Sequence, residues 1–420
     1  MKIKTKQLSY EKVMALKRPE HKKPLKPSGL LAIAMRAISE PDLRQVGFTY
    51  TQKNMEKAGD GPWLILMNHS SFLDLEIVSR IMYPKKYNIV CTSDGFIGKE
   101  RLMRKLGGIP TQKFVTDISL ISDMSHALKV NKTSVLMYPE ASYSFDGTAT
   151  PLPRRMGVLL KRLRVPVVMI TTFGSFARDP LYNNLQKRKV KVTAVQECLL
   201  TPDEIKSKSV EELDEVLRKA FSFDYFKWQA ENEVFINEPF RADGLNRILF
   251  RCASCGSEGH MEGSGTDLKC NSCGKTYAMD ELGRLHAANG VTEFEHIPDW
   301  YRWERTKIKN EIDTGTYHLD TEVEIGMMVD FKAIYMVGSG RLHHDRNGFV
   351  LDGCDGKLHY EQGPKTCYSV YSDYFWYELG DIICIGNKDC LYYCFPKKRD
   401  VVAKTRIAVE EIYKAACGEK

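Results

Sequence analysis

His69 and Asp74 stand five residues apart, just after the apolar run Trp63–Met67. Together they have the makings of a general base and the carboxylate that orients it. A carboxylate fixes an imidazole's tautomer and stabilises the imidazolium formed when a proton is taken. On a regular helix five residues turn about 500°, so the two side chains meet only if the turn between them is irregular. A second cluster is Cys252-Ala253-Ser254-Cys255 with Cys270-Asn271-Ser272-Cys273. Two such knuckles bring four thiolates to tetrahedral positions around Zn(2+), and Gly256 and Gly274 supply the turn after each. Four protein ligands leave no open position, so the expected zinc is structural.

These groups need elements to hold them. Trp63–Met67, Tyr87–Thr92, Ser134–Tyr138, Val165–Thr171 and Val190–Glu197 read as strands. Leu75–Met82, Ser119–Val130 and Gly157–Arg164 read as helices between them. That alternation predicts an α/β domain over residues 28–245. Thr201 with Glu204 three residues on predicts a capping box, opening a polar helix to about Lys219. Residues 291–316 hold a linker helix carrying Trp300, Trp303 and Ile308. From Tyr317 the pattern turns to short aromatic and Val/Ile-rich strands, closed by one amphipathic helix over Asp400–Ala416.

Hydrophobic residues are 43% and charged residues 27% of 420, which excludes wholesale disorder. No run approaches the ~18 apolar residues of a membrane span. The first 27 residues lack the apolar core of a secretory signal, so a cytoplasmic chain is expected. Formal net charge is +7. Residues 1–27 hold nine Lys/Arg and two Glu, so this segment alone accounts for it. The expectation is a basic arm on an anionic membrane surface, helped by the apolar patch around Leu30 and Ile33. The neutral body, and only Arg251, Lys269 and Lys275 beside the cysteines, argue against nucleic acid. Twelve cysteines without a secretion signal argue against a disulfide framework. His343 and His344, beside Arg341 and Arg346, are expected in an exposed turn, with an anionic headgroup as the alternative role.

The segment from Asn68 to Asp74 resembles the His-x4-Asp motif of the glycerolipid acyltransferase family, which includes 1-acylglycerol-3-phosphate acyltransferases. Three further blocks follow in family order. Gly107-Gly108-Ile109-Pro110-Thr111-Gln112-Lys113 is similar to the second, Tyr138-Pro139-Glu140-Ala141-Ser142-Tyr143-Ser144 to the third and Val165-Pro166-Val167-Val168 to the fourth. The resemblance implies His69 as general base, Asp74 as its orienting carboxylate, and Lys113, Glu140, Ser142 and Ser144 at the acceptor. Lys113 and Tyr143 stand where the family carries Arg, which weakens a phosphate-monoester seat. Arg154, Arg155 and Lys161 are the expected compensation, with a solvated helix face as the alternative. The implied reaction moves a fatty acyl group from acyl-CoA or acyl-carrier protein to a hydroxyl of a lysophospholipid or related lipid acceptor. The alternative is an inactive, acyltransferase-like lipid-binding adaptor. Residues 246–290 resemble a zinc ribbon, and 317–420 resemble a pleckstrin-homology-like fold in topology. The expected architecture is thus an α/β acyltransferase domain, a small zinc ribbon and a β-rich domain with a C-terminal helix. It would sit peripherally on the inner face of a membrane.

Overall fold

The computed structural model describes residues 2–115 and 117–418. Met1, Glu419 and Lys420, at the ends of the expected first and last segments, lie outside the described residues.

The α/β body is built on a seven-stranded sheet. Its order is Thr49–Lys53, Thr193–Leu200, Val167–Phe173, Leu64–Met67, Ser134–Met137, Tyr87–Thr92, Gly108–Thr111. The last five run parallel, and the first two run opposite to them. Leu64–Met67 is central and wholly buried. Ile65 and Met67 enter one core with Ile77 and Val78 of the helix Leu73–Met82. Leu64 and Leu66 face the opposite core, with Met124 and Leu128 of Ile118–Lys129 and Leu160 of Met156–Leu163. Successive strand residues point to opposite faces, so a doubly covered strand needs an unbroken apolar run. Burying each such side chain contributes ~1.5–3 kcal/mol. Because the central strands are parallel, the loops after Met67, Met137 and Phe173 leave the same sheet edge. In open α/β sheets that edge is where ligands bind.

Two elements differ from expectation. The polar helix after Thr201 is two helices. Thr201 and Glu204 make the expected capping box for Pro202–Ser207, and Ser209 and Glu212 make another for Val210–Ala220. A capping box opens a helix, so the second one closes the first. Residues 2–27, expected as a basic arm, lie along the fold instead. Thr5–Gln7 pairs in parallel with the start of Ile334–Asp345. Lys22 reaches Glu100 (3.1 Å), while His21 (2.9 Å) and Lys23 (3.3 Å) reach Asp123. These acids are distant in sequence, so local charge counting misses them. The helix Gly29–Gln45 follows, packs on Leu73–Met82 and leaves Leu30, Ile33 and Ile38 exposed.

The cysteine segment forms a four-stranded antiparallel sheet from Met261–Ser264, Asp267–Cys270, Thr276–Met279 and Leu285–Ala287. The expected linker helix is Ile297–Asp313. Trp300 and Ile308 are fully buried on it, and Trp300 Nε1 donates to the Arg251 carbonyl (3.0 Å). The β-rich body is antiparallel, in the order Leu358–Gln362, Gly348–Gly353, Ile334–Asp345, Leu319–Met328, Cys390–Pro396, Gly380–Asn387, Tyr371–Trp376. The closing helix Val402–Ala416 packs on Tyr371–Trp376, on Gly380–Asn387 and on Ile297–Asp313. His343 and His344 lie on a strand, not in a turn. They point to opposite faces: His343 pairs with Asp345 (3.5 Å), while His344 is buried and stacks on Phe349 at 3.9 Å. Burial pushes the His344 imidazole down to about 3.

Candidate active site and metal centre

His69 lies in the loop between Leu64–Met67 and Leu73–Met82, before helical geometry begins at Leu73. The 140° offset of a regular helix therefore does not apply, and His69 Nδ1 meets Asp74 Oδ2 at 2.9 Å. The same oxygen accepts the amides of Ser70 (2.9 Å) and Ser71 (3.2 Å). Asp74 thus pins the loop that precedes the helix and holds the imidazole with one atom. A carboxylate only accepts, so Nδ1 carries the proton and Nε2 keeps its lone pair. No side chain among the described residues bonds Nε2. Burial holds the imidazole below the ordinary histidine range, and the Asp74 carboxylate works against that shift. The neutral, proton-accepting form is accordingly the resting form near pH 7.

Further bonds freeze this loop. Asn68 Oδ1 accepts the Thr172 amide (2.9 Å), and Ser71 Oγ donates to Asp179 (2.5 Å), itself paired with Arg178 (2.9 Å). Glu140 joins it to the third block. Its Oε2 accepts the His69 amide (3.0 Å), and its Oε1 accepts the amide (2.8 Å) and hydroxyl (3.1 Å) of Thr150. Burial pushes the Glu140 carboxyl up to about 7, against these three donors. Both oxygens are committed to the loops, so Glu140 holds His69's backbone rather than reaching out to an acceptor.

The remaining expected residues are distributed unevenly. Tyr143 stacks on one face of the His69 ring (4.0 Å) and Tyr138 on the other (4.1 Å). What remains open is the imidazole edge, and the side chain is 15% exposed. Ser144 donates its amide to the His69 carbonyl (3.2 Å) and its hydroxyl to Thr148 (2.6 Å). Lys113 rests its ammonium on the Tyr371 ring at 4.1 Å, against the β-rich body. Arg154 and Arg155 are exposed, and Arg154 lies over the Tyr413 ring (4.6 Å). The structure does not bring either arginine to His69. Arg406 of Val402–Ala416 comes to the third block instead. It is 3% exposed, donates to Ser142 Oγ and to the Tyr143 carbonyl (3.3 Å), and lies over the Phe145 ring (4.3 Å). Local sequence gives no signal for a contact spanning 264 residues.

The four cysteines converge as their spacing predicts. Their sulfurs all lie within 4.8 Å of one another, with Cys252–Cys273 and Cys255–Cys270 at 3.8 Å. A tetrahedron with metal–sulfur bonds of ~2.3 Å has edges of about 3.8 Å. The set therefore fits a metal ion. Gly256 and Gly274 sit at φ +76° and +77°, and each donates its amide to the first cysteine of its knuckle (2.9 Å). A side chain is strained at that φ, which explains glycine at both turns.

Comparison with known proteins finds similarity over the stretch that holds the first of these sites. Residues 48–172 match the family model described as Acyltransferase. The chain is 26% identical over 131 residues to 1-acyl-sn-glycerol-3-phosphate acyltransferase beta of Homo sapiens, covering 30% of this chain and 45% of that protein. It thus spans less than half the length of this curated relative. The crystal structure of the 1-acyl-sn-glycerophosphate (LPA) acyltransferase PlsC from Thermotoga maritima superposes with a TM-score of 0.38 and 15% identity, over 46% of this chain and 76% of that chain. The stretch that is similar to the Acyltransferase family encloses His69, Asp74, Lys113, Glu140 and Ser142.

Proposed function

We propose that this protein transfers a fatty acyl group from a thioester, acyl-CoA or acyl-carrier protein, to a hydroxyl of a lysophospholipid or related lipid. The observation that carries the reading is His69, held by Asp74 with its Nε2 unbonded, inside a matched acyltransferase domain. The acceptor O–H gives its proton to Nε2 as the oxygen attacks the thioester carbonyl. Collapse of the tetrahedral adduct forms the ester, breaks the C–S bond, and the imidazolium protonates the departing thiolate. Asp74 stabilises that imidazolium, and Glu140 positions the His69 backbone. Expression in a host lacking the activity, followed by mass spectrometry of its lipids, tests this. Newly esterified lipids are expected. An unchanged lipid profile contradicts the reading and favours an inactive adaptor.

The metal is zinc in this reading, and its role is structural, since four thiolates complete its shell. One zinc per chain is expected by elemental analysis. Cys270→Ser should abolish it and unfold the segment around residues 250–285, because metal binding is coupled to folding. Full zinc content in that variant would contradict the assignment. The seven-strand order with its closing helix supports the pleckstrin-homology-like reading of the last body.

Among the described residues no helix is long and apolar enough to cross a membrane. The docked N-terminal segment moves the membrane-binding reading to Gly29–Gln45, whose exposed Leu30, Ile33 and Ile38 lie on one side. That stripe supports peripheral binding, which we place at the inner, cytoplasmic face. Ile33→Asp with Ile38→Asp should release the protein from anionic vesicles in a sedimentation assay. Undiminished sedimentation would place the membrane contact elsewhere.

A further inference from the structure

A cavity of about 310 Å³ lies where the third-block loop meets the helices Ile297–Asp313 and Val402–Ala416. Asp146 and Thr150 line it from the acyltransferase domain, and Arg302, Arg305, Arg406 and Lys414 from the two helices. Exposure rises from floor to mouth: Arg406 is buried, the Arg305 side chain is 27% exposed, Lys414 39% and Arg302 57%. Two carboxylates, Asp146 and Glu410, line the cavity with these four cations, and acidic neighbours hold three of the cations in place. Arg305 pairs with Glu410 (2.8 Å) and Glu411 (2.9 Å), Lys414 with Glu411 (2.8 Å), and Arg302 with Asp299. Their positions are thus fixed before any ligand arrives, and fixed guanidinium groups suit the paired oxygens of a phosphate.

The cavity is joined to the catalytic loop by one carboxylate. Thr150 lines the cavity and donates to Glu140 Oε1, and Glu140 Oε2 accepts the His69 amide. Arg406, at the floor, bonds the third-block loop at Ser142 and Tyr143. In a lysophospholipid only a three-carbon glycerol unit separates the reacting hydroxyl from the phosphate. In a coenzyme A thioester the long pantetheine arm separates the carbonyl from the phosphates. A cationic cavity linked through one carboxylate to the backbone of His69 matches the acceptor better than the donor. Its volume exceeds that of several waters at ~30 Å³ each, so there is room for a headgroup beyond a bare phosphate.

We propose that this interdomain cavity seats the phosphodiester headgroup of a lysophospholipid acceptor, so that the C-terminal helices complete the acceptor site. The proposal rests on the acyl-transfer reading for its substrate, and a binding arm separates the two. The probe is sn-glycero-3-phosphoglycerol, the headgroup without its chain, titrated into the full chain by calorimetry beside inorganic phosphate and glycerol. Saturable binding of the phosphodiester, tighter than that of phosphate, is expected, with no binding of glycerol. Arg302→Glu with Lys414→Glu should weaken it tenfold or more, and Arg302→Gln, which adds no repulsion, should weaken it less. Both positions are at the mouth, and unchanged thermal melting will show that the fold is kept. In kinetic assays the double variant should raise KM for a lysophosphodiester at least tenfold and leave KM for the acyl thioester unchanged. A raised thioester KM instead would assign the cavity to the donor and overturn the proposal. Equal binding by wild type and variant, or no phosphodiester binding, would also overturn it. Binding as expected without acyl transfer to any acceptor would keep the site and refute the enzymatic reading.

Discussion

His69→Ala is expected to lower kcat/KM for acyl transfer by about 10²–10⁴-fold, the usual contribution of one general base. The fold should survive. Among the described residues the side chain makes one side-chain hydrogen bond, to Asp74, and two ring stacks, with Tyr138 and Tyr143. Stacking of this kind is worth ~0.5–1.5 kcal/mol per pair, well below the stability of a domain. The His69 backbone bonds to Glu140 and Ser144 do not depend on the side chain. Circular dichroism and melting should therefore resemble wild type. For the wild type, kcat/KM should rise with pH and level off, because only neutral His69 accepts a proton. Burial lowers its pKa, so the rise should be centred below the ordinary value of ~6.5. A plateau reached only above pH 8, or near-normal turnover by the alanine variant, would remove His69 from the mechanism.

Asp74→Asn should cost about 10²-fold or more in kcat for a different reason. One oxygen of Asp74 accepts the His69 ring N–H and two backbone amides. An Asn oxygen in its place can keep all three bonds, so the fold and the imidazole tautomer persist. What is lost is the negative charge that stabilises the imidazolium, in a site nearly closed to water, where charges interact strongly. The pH–rate curve should then move further to the acid side. Asp74→Ala, by contrast, would orphan the Ser70 and Ser71 amides, at ~1–3 kcal/mol for each. It should lose stability as well as rate. Equal melting temperatures for the two variants would show that the amide bonds are dispensable.

Local pattern made much of the α/β body and of the cysteine cluster legible. The apolar strand Leu64–Met67, the Thr201 capping box, the cysteine knuckles and the His69–Asp74 pair each depend on residues close in sequence. The second capping box, Ser209 with Glu212, was equally readable, and it divides the helix expected as one. What the sequence hid was nonlocal. The acids that dock residues 2–27 are about eighty to a hundred positions away. Tyr143, expected at the place of a phosphate-binding Arg, instead covers His69. The arginine on the third-block loop comes from the closing helix, where only the sheet order of the β-rich body could deliver it. His343 and His344 show the limit of charge clustering, since strand alternation sends one into the core.

Coupled release and esterification by the purified protein tests the central claim most directly. Free thiol from an acyl-CoA or acyl-carrier-protein thioester is measured against ester formed on a lysophospholipid, in wild type and in His69→Ala. The account requires one thiol per new ester, dependence on both substrates, and near-total loss in the variant. Thiol release without a lipid product, or transfer that persists without His69, would contradict it.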